Sequence, residues 1–392
     1  MRALRIDRKV ARFASARVAG MLAPGSGAKW GPLVLDDVPA IALPGEDWVR
    51  IHPRLSGICG SDLSTVDGVS SRYFEPIVSF PFTPGHEVVA DTDDGRRVVL
   101  EPVLGCVTRG INPACPACAR GELGNCERLA FGILDAGLQT GFCCDTGGGW
   151  GTQMVAHPSQ LHDVPEDLSD EAAVMVEPAA CAIHAALRVP ITPGATVAVI
   201  GAGTLGLLTV AALRAFTPAG QIVTAARYPH QIRLAKELGA SIVCESGELS
   251  RVVRRQTASM AYGDQLTGGA DVVLDCVGDS ATITGALQIV RPRGSVVVVG
   301  MPSSVKLELT TLWHRETSLV GAYAYGTEHL ADGRTARTFD LAFSLVREAR
   351  LERLVSATYP LHQYEDAISH AANAGRRGAV KVAFDLRHDR KR

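Results

Sequence analysis

The apolar positions along this chain change rhythm as they pass from one region to the next. From residue 1 to about 55 they fall in short runs, Arg2-Ala-Leu-Arg-Ile6, Leu33-Val-Leu35 and Trp48-Val-Arg-Ile51, parted by turn clusters such as Pro24-Gly-Ser-Gly27 and Pro44-Gly45. That spacing predicts a scaffold of short β-strands. From Gly194 the rhythm is different. Val197-Ala-Val-Ile200, Gln221–Ala225, Asp271–Asp275, Ser295–Val299 and Leu319–Tyr323 are apolar runs too continuous for half-exposed strands. Between them lie helix-length segments ending at Phe216, spanning Pro229–Leu238 and spanning Ala281–Val290. Alternation of this kind over about 130 residues predicts a doubly wound parallel α/β sheet. Beyond residue 325 the pattern is mixed again, with a helix expected over Leu341–Ala349.

The first turn of that alternating region carries chemistry. Gly201-Ala-Gly203-Thr204-Leu205-Gly206 stands between a buried strand and an apolar helix, the context a dinucleotide site needs. Gly201 makes the tight turn, Gly203 lets backbone approach a pyrophosphate, and Gly206 lets the helix pack close to the strand. Twenty residues after Gly206 stand Ala226, Arg227 and Tyr228, where an NAD site wants a carboxylate for the ribose hydroxyls. A guanidinium with no carboxylate beside it suits a 2′-phosphate, so NADP(H) is favoured over NAD(H). Thr204, Leu205, Cys276 and Val277 are further candidate coenzyme contacts.

Two groups of potential metal ligands precede that turn. Cys59, Ser61 and Asp62 are followed by His86 and Glu87. Cys, His and Glu are zinc ligands, and Asp62 is a suitable acceptor for the second imidazole nitrogen of His86. Taken singly, Cys59 and His86 would each pass for core residues. Cys106, Cys115, Cys118 and Cys126 have the spacing C-x8-C-x2-C-x7-C on a Gly/Pro-rich stretch. That suits a closed thiolate site, with a pair of disulfides as the alternative.

Composition narrows the class. The 392 residues include 39 Lys plus Arg and 41 Asp plus Glu, a formal charge of −2. This balance argues against a nucleic-acid or membrane-surface protein. No apolar run approaches about 18 residues and the N-terminus lacks a signal-like apolar core, so a cytoplasmic protein without a membrane span is expected. The basic tail from Arg387 to Arg392 reads as solvated.

The chain resembles the zinc-dependent medium-chain alcohol and polyol dehydrogenases. The resemblance rests on GICGSD at 57–62, GHE at 85–87, the cysteines at 106–126, GGWGTQMV at 148–155, MVEPAACAIHA at 175–185 and GAGTLG at 201–206. It implies a GroES-like catalytic domain over residues 1–187 and 325–392, a Rossmann domain over 188–324, and an active site in the cleft between them. It further implies two zinc ions per chain. Cys59 and His86 would hold the catalytic one, with Glu87 or Glu177 as the third ligand; the four cysteines would hold the structural one, although Cys106 sits six residues early for the family. Ser61 would pass on the substrate proton, and Lys381 would reach the coenzyme pyrophosphate. Where many members have a histidine for proton exit this chain has Ser64, and Val176-Glu177-Pro178 follows the sorbitol and threonine dehydrogenase branch. The expected activity is hydride transfer between a small alcohol or polyol, or its carbonyl, and NADP(H), by a homodimer or homotetramer. The rivals are an NAD-linked polyol or threonine dehydrogenase, a zinc-free quinone or enoyl reductase, and a non-catalytic NADPH-binding protein.

Overall fold

Strand β1 (Arg2–Ile6) pairs antiparallel with β2 (Leu33–Asp37), and the 26 residues between them include helix α1 (Val10–Leu22) and the short helix α2 (Gly27–Trp30). The sequence pattern places these residues in a β-rich scaffold; the structure makes them helical. Four alanines in α1 favour a helix, and Phe13 and Ala16, three residues apart, point inward together. In the computed structural model the described residues are 1–389, so Arg390–Arg392 of the basic tail lie outside them.

Contacts divide the chain into one unit of Met1–Glu177 with Arg350–Arg392 and a second of Pro178–Ala349. The first is built on a seven-stranded sheet in which β3 (Val49–Gly57) pairs with β4 (Val88–Thr92) and with the C-terminal strand Lys381–Asp385, all antiparallel. Strand β5 (Arg97–Leu100) extends the sheet beyond β4. Its core gathers Leu4, Ile6, Phe82, Trp150 and Phe384, each nearly or wholly buried. Full burial of side chains of this size is worth about 1.5–3 kcal/mol each. Asp170, also buried, takes Arg54, Arg97 and Arg387. Arg387 is thus part of an ion-pair cluster that also includes Asp385 and Glu171, and not a solvated tail residue.

The second unit holds a six-stranded, wholly parallel sheet. Its order is Ile242–Glu245, Gln221–Ala226, Thr196–Ile200, Ala270–Asp275, Val290–Val298 and Ser318–Gly321. Strand 242–245 is the one that the sequence pattern leaves out. Crossover helices Thr204–Phe216, Pro229–Glu237, Leu249–Gln256 and Ser280–Ile289 connect the strands. The unit boundaries differ from 187/188 and 324/325 for a packing reason. Helix Thr338–Glu348 lies on helix Thr204–Phe216. His184 Nδ1 meets Glu328 Oε1 at 2.8 Å, and Thr338 Oγ1 donates to the same oxygen at 2.8 Å. Residues 178–187 and 325–349 therefore pack with the parallel sheet.

Candidate active site and metal centres

The first unit brings Cys59, His86 and Glu87 together, with one ligand atom of each within 4.8 Å of the others. Cys59 caps helix α3 (Gly60–Val66), whose first turn carries Ser61 and the buried Asp62. Asp62 Oδ2 accepts the Cys59 N–H at 3.0 Å, and Asp62 Oδ1 lies 3.5 Å from His86 Nδ1. The imidazole is thereby oriented from its Nδ1 side, so that Nε2 is the nitrogen that would face a metal. Burial opposes a charge on His86, yet Asp62 and the Cys59 thiol hold its pKa well above the usual imidazole value. A metal binding here displaces that proton.

Glu87 meets an unexpected partner. Lys381, expected at the coenzyme, is buried in this unit, and its Nζ donates to Glu87 Oε1 at 2.6 Å, to Oε2, and to the Ile58 carbonyl at 3.3 Å. Burial alone would lower its pKa; Glu87 foremost, then Cys59 and Glu177, raise it above the ordinary lysine value. Glycine at position 57 makes room for the Glu87 carboxylate, since a Cβ there would meet Oε2 where it now lies. Glu177, buried on the first turn of helix Val176–Leu187, stands outside the Cys59–His86–Glu87 group.

Cys106, Cys115, Cys118 and Cys126 converge with all four sulfurs within 4.8 Å of one another, so the early position of Cys106 is absorbed by its loop. Cys106 Sγ is 3.7 Å from Cys126 Sγ, and Cys115 Sγ is 4.0 Å from it. Zn–S bonds of about 2.3 Å at tetrahedral angles place sulfurs about 3.8 Å apart, so the cage fits that ion. All ten cysteines are free thiols, which sets the disulfide alternative aside. Against the cost of burial, the N–H groups of Cys118 and Glu127 pull the Cys115 thiol down to about 6, while burial pushes Cys126 up to about 11. One thiolate forms readily and its neighbours resist following, a conflict that a divalent cation removes.

In the second unit Gly201 has φ +90°, and a Cβ at Gly206 would collide with the Gly201 carbonyl oxygen. A Cβ at Gly203 would meet nothing within 4 Å, so backbone lines an open cradle at the start of helix Thr204–Phe216. Thr204 and Leu205 form its first turn. Val277 packs over Gly201, and Cys276 Sγ lies 3.6 Å from Thr209 Oγ1, with burial pushing that thiol up to about 12. Ala226 is buried at the end of its strand. Gln231 Oε1 accepts the N–H groups of Arg227 and Tyr228, both at 3.3 Å, which fixes the backbone while the Arg227 side chain is exposed.

Residues 45–166 match the alcohol dehydrogenase GroES-like domain, and residues 204–340 match the zinc-binding dehydrogenase domain. The chain belongs to the zinc-dependent medium-chain dehydrogenase family. It is 28% identical to L-idonate 5-dehydrogenase of Vitis vinifera, across 86% of this chain and 88% of that one. It is 29% identical to sorbitol dehydrogenase of Bacillus subtilis strain 168, across 83% and 86%. Among solved structures, alcohol dehydrogenase TADH from Thermus sp. ATN1 superposes with a TM-score of 0.72 at 25% identity, covering 99% of this chain and 100% of that one. The chain is an oxidoreductase of the alcohol dehydrogenase type. No helix among its described residues is long and apolar enough to cross a membrane.

This dehydrogenase also contains a buried cation that sequence reasoning passes over. Arg109 is wholly buried, and its guanidinium donates to the carbonyls of Leu104, Phe131, Leu134, Asp135 and Gly137 at 2.6–3.2 Å. It ties the cysteine loop to the segment 131–137. Its only signal in the sequence is its place within the eight residues that separate Cys106 from Cys115.

Proposed function

We propose that the chain is a zinc-dependent, NADP(H)-preferring dehydrogenase of a secondary alcohol or polyol. The observation that carries this reading is the Cys59–His86–Glu87 group with Asp62 behind the imidazole. Cys59 and His86, with a carboxylate from Glu87 or Glu177, would hold the catalytic ion, and the four clustered cysteines a structural one. When bound, the metal supplies Lewis acidity at the substrate oxygen and the nicotinamide supplies the hydride acceptor. Asp62 orients His86, and the Ser61 hydroxyl, on the same turn as Asp62, relays the substrate proton. Lys381 neutralises Glu87 and limits the negative charge around the metal group. The Gly201–Gly206 turn holds the pyrophosphate, with Thr204, Leu205, Cys276 and Val277 around it, and Arg227 pairs with the 2′-phosphate. The polyol preference is supported by Glu177 and by the sorbitol and idonate names of the two relatives. Assembly as a homodimer or homotetramer belongs to the same proposal.

Elemental analysis of the purified protein and of Cys59→Ala tests the metal assignment. Two zinc ions falling to one, with an unchanged melting temperature, is the expected result. One ion, unaffected by the substitution, would turn the reading toward a quinone or enoyl reductase. Coenzyme titration tests the rest: Arg227→Ala should lower kcat/KM for NADP⁺ roughly ten- to a hundredfold and leave NAD⁺ unaffected. Equal use of NAD⁺ by the unmodified enzyme would replace the NADP(H) assignment with an NAD-linked polyol dehydrogenase.

A further inference from the structure

Helix α1 is docked by Phe13 and Ala16, whose positions settle which face is inner. Phe13 packs edge-on to Phe80 at 6.3 Å, and Ala16 is fully buried. The inserted segment is held down further by Asp67, whose carboxylate accepts the N–H groups of Gly25 and Gly27 at 2.8 and 2.9 Å. The outer face of an amphipathic surface helix is ordinarily polar. Here it is apolar: Val10, Val18, Met21 and Leu22 are 60–84% exposed, and Trp30 on α2 is 59% exposed. The segment lies outside both matched family domains, which cover residues 45–166 and 204–340.

The charge of the segment runs against that of the chain. Residues 8–31 contain Arg8, Lys9, Arg12, Arg17 and Lys29 and no carboxylate, so +5 sits here and the remainder of the −2 chain carries −7. The nearest acids cancel only part of it. Asp7 pairs with Arg5 and with Lys9 of this segment, while Asp67 is turned inward to the glycine amides. The near-neutral balance of the whole chain conceals this local asymmetry.

We propose that the outer face of α1, with Trp30, is a docking surface for an anionic lipid bilayer. Cations flanking an exposed apolar crest that ends in a tryptophan combine the two terms that hold an interfacial helix, apolar burial and attraction to acidic headgroups. A second copy of this chain would bring +5 against +5. A nucleic acid would engage the cations and leave Val18, Met21 and Leu22 in water.

The test is cosedimentation of the full-length protein with phosphatidylcholine vesicles, with and without phosphatidylglycerol, read alongside tryptophan emission. The expected result is binding that requires phosphatidylglycerol, weakens with salt and shifts the emission to the blue. Val18→Glu with Leu22→Glu should lower the bound fraction at least about tenfold. Arg8→Gln and Arg17→Gln should each lower the partition coefficient about fivefold. These positions are exposed, and an unchanged melting temperature verifies the fold of each variant. Absence of phosphatidylglycerol-dependent binding, or equal binding by the glutamate variant, would overturn the proposal. So would a glutamate variant of lower molar mass in light scattering, since the face would then be covered by a second copy.

Discussion

Two buried cations stand beside the two groups of candidate metal ligands, and they are satisfied in opposite ways. Arg109, next to the four-cysteine loop, donates to five neutral backbone carbonyls. Burial accordingly lowers its pKa from the usual arginine value. Lys381, next to Cys59 and His86, faces the carboxylate of Glu87, which raises its pKa although the group is fully buried. The difference tells what each cation is for. Arg109 organises a segment of irregular backbone whose carbonyls would otherwise be buried without donors. Lys381 balances the buried charge of Glu87, so its role is electrostatic and not that of a scaffold tie.

The largest expected effect comes from removing the charge balance. Lys381→Met leaves the Glu87 carboxylate buried and unpaired, which should destabilise the protein by about 3–5 kcal/mol. Adding Glu87→Gln removes the stranded charge and should recover at least about half of that loss. Urea unfolding midpoints of the two variants measure this. Equal losses would show that Glu87 does not depend on Lys381, and the contrast drawn above would collapse.

Arg109→Lys probes the other side. It keeps the cation but withdraws the planar fork, and an ammonium cannot reach five carbonyls. A loss of about 2–3 kcal/mol is expected, from carbonyls left without donors. The four loop cysteines should also react faster with a thiol reagent in the metal-free protein. If the unfolding midpoint and the thiol reactivity both stay unchanged, the loop is organised by its cysteines alone.

These two cations also mark where the sequence stops being readable. Cys59, His86, Glu87 and the four cysteines are legible because ligating chemistry admits few residue types. The parallel sheet, strand 242–245 apart, is legible because its strands carry near-continuous apolar runs. Lys381 meets Glu87 across 294 positions of chain, and nothing within Gly378-Ala-Val-Lys-Val announces that contact. Arg109 reads as one of several loop arginines, since nothing local announces that five carbonyls converge on it. Helix α1 escapes for another reason: its outward face is as apolar as its inward one, so the hydrophobic period that normally announces a helix is absent. The family resemblance implies a pyrophosphate contact for Lys381, and the structure shows its ammonium buried against Glu87.

The smallest effect concerns a carboxylate in the second unit, where no metal group complicates the reading. Glu328 is buried; burial would raise its pKa, but His184 and Thr338 hold it below the usual glutamate value. Its folded pKa is therefore depressed. The stability it contributes is present above its unfolded pKa of about 4.3 and is lost as the pH falls through the lower folded value. Glu328→Gln should cost about 1–2 kcal/mol at pH 6, since hydrogen bonds to a charged acceptor are replaced by neutral ones. The gap between the two melting temperatures should narrow steadily below pH 4, as the wild-type carboxylate takes up its proton. A gap independent of pH would mean that His184 and Thr338 hold the side chain by shape alone. Carboxylate pairing would then matter at Lys381, where the charge lies beside ligands, and not as a general device of this fold.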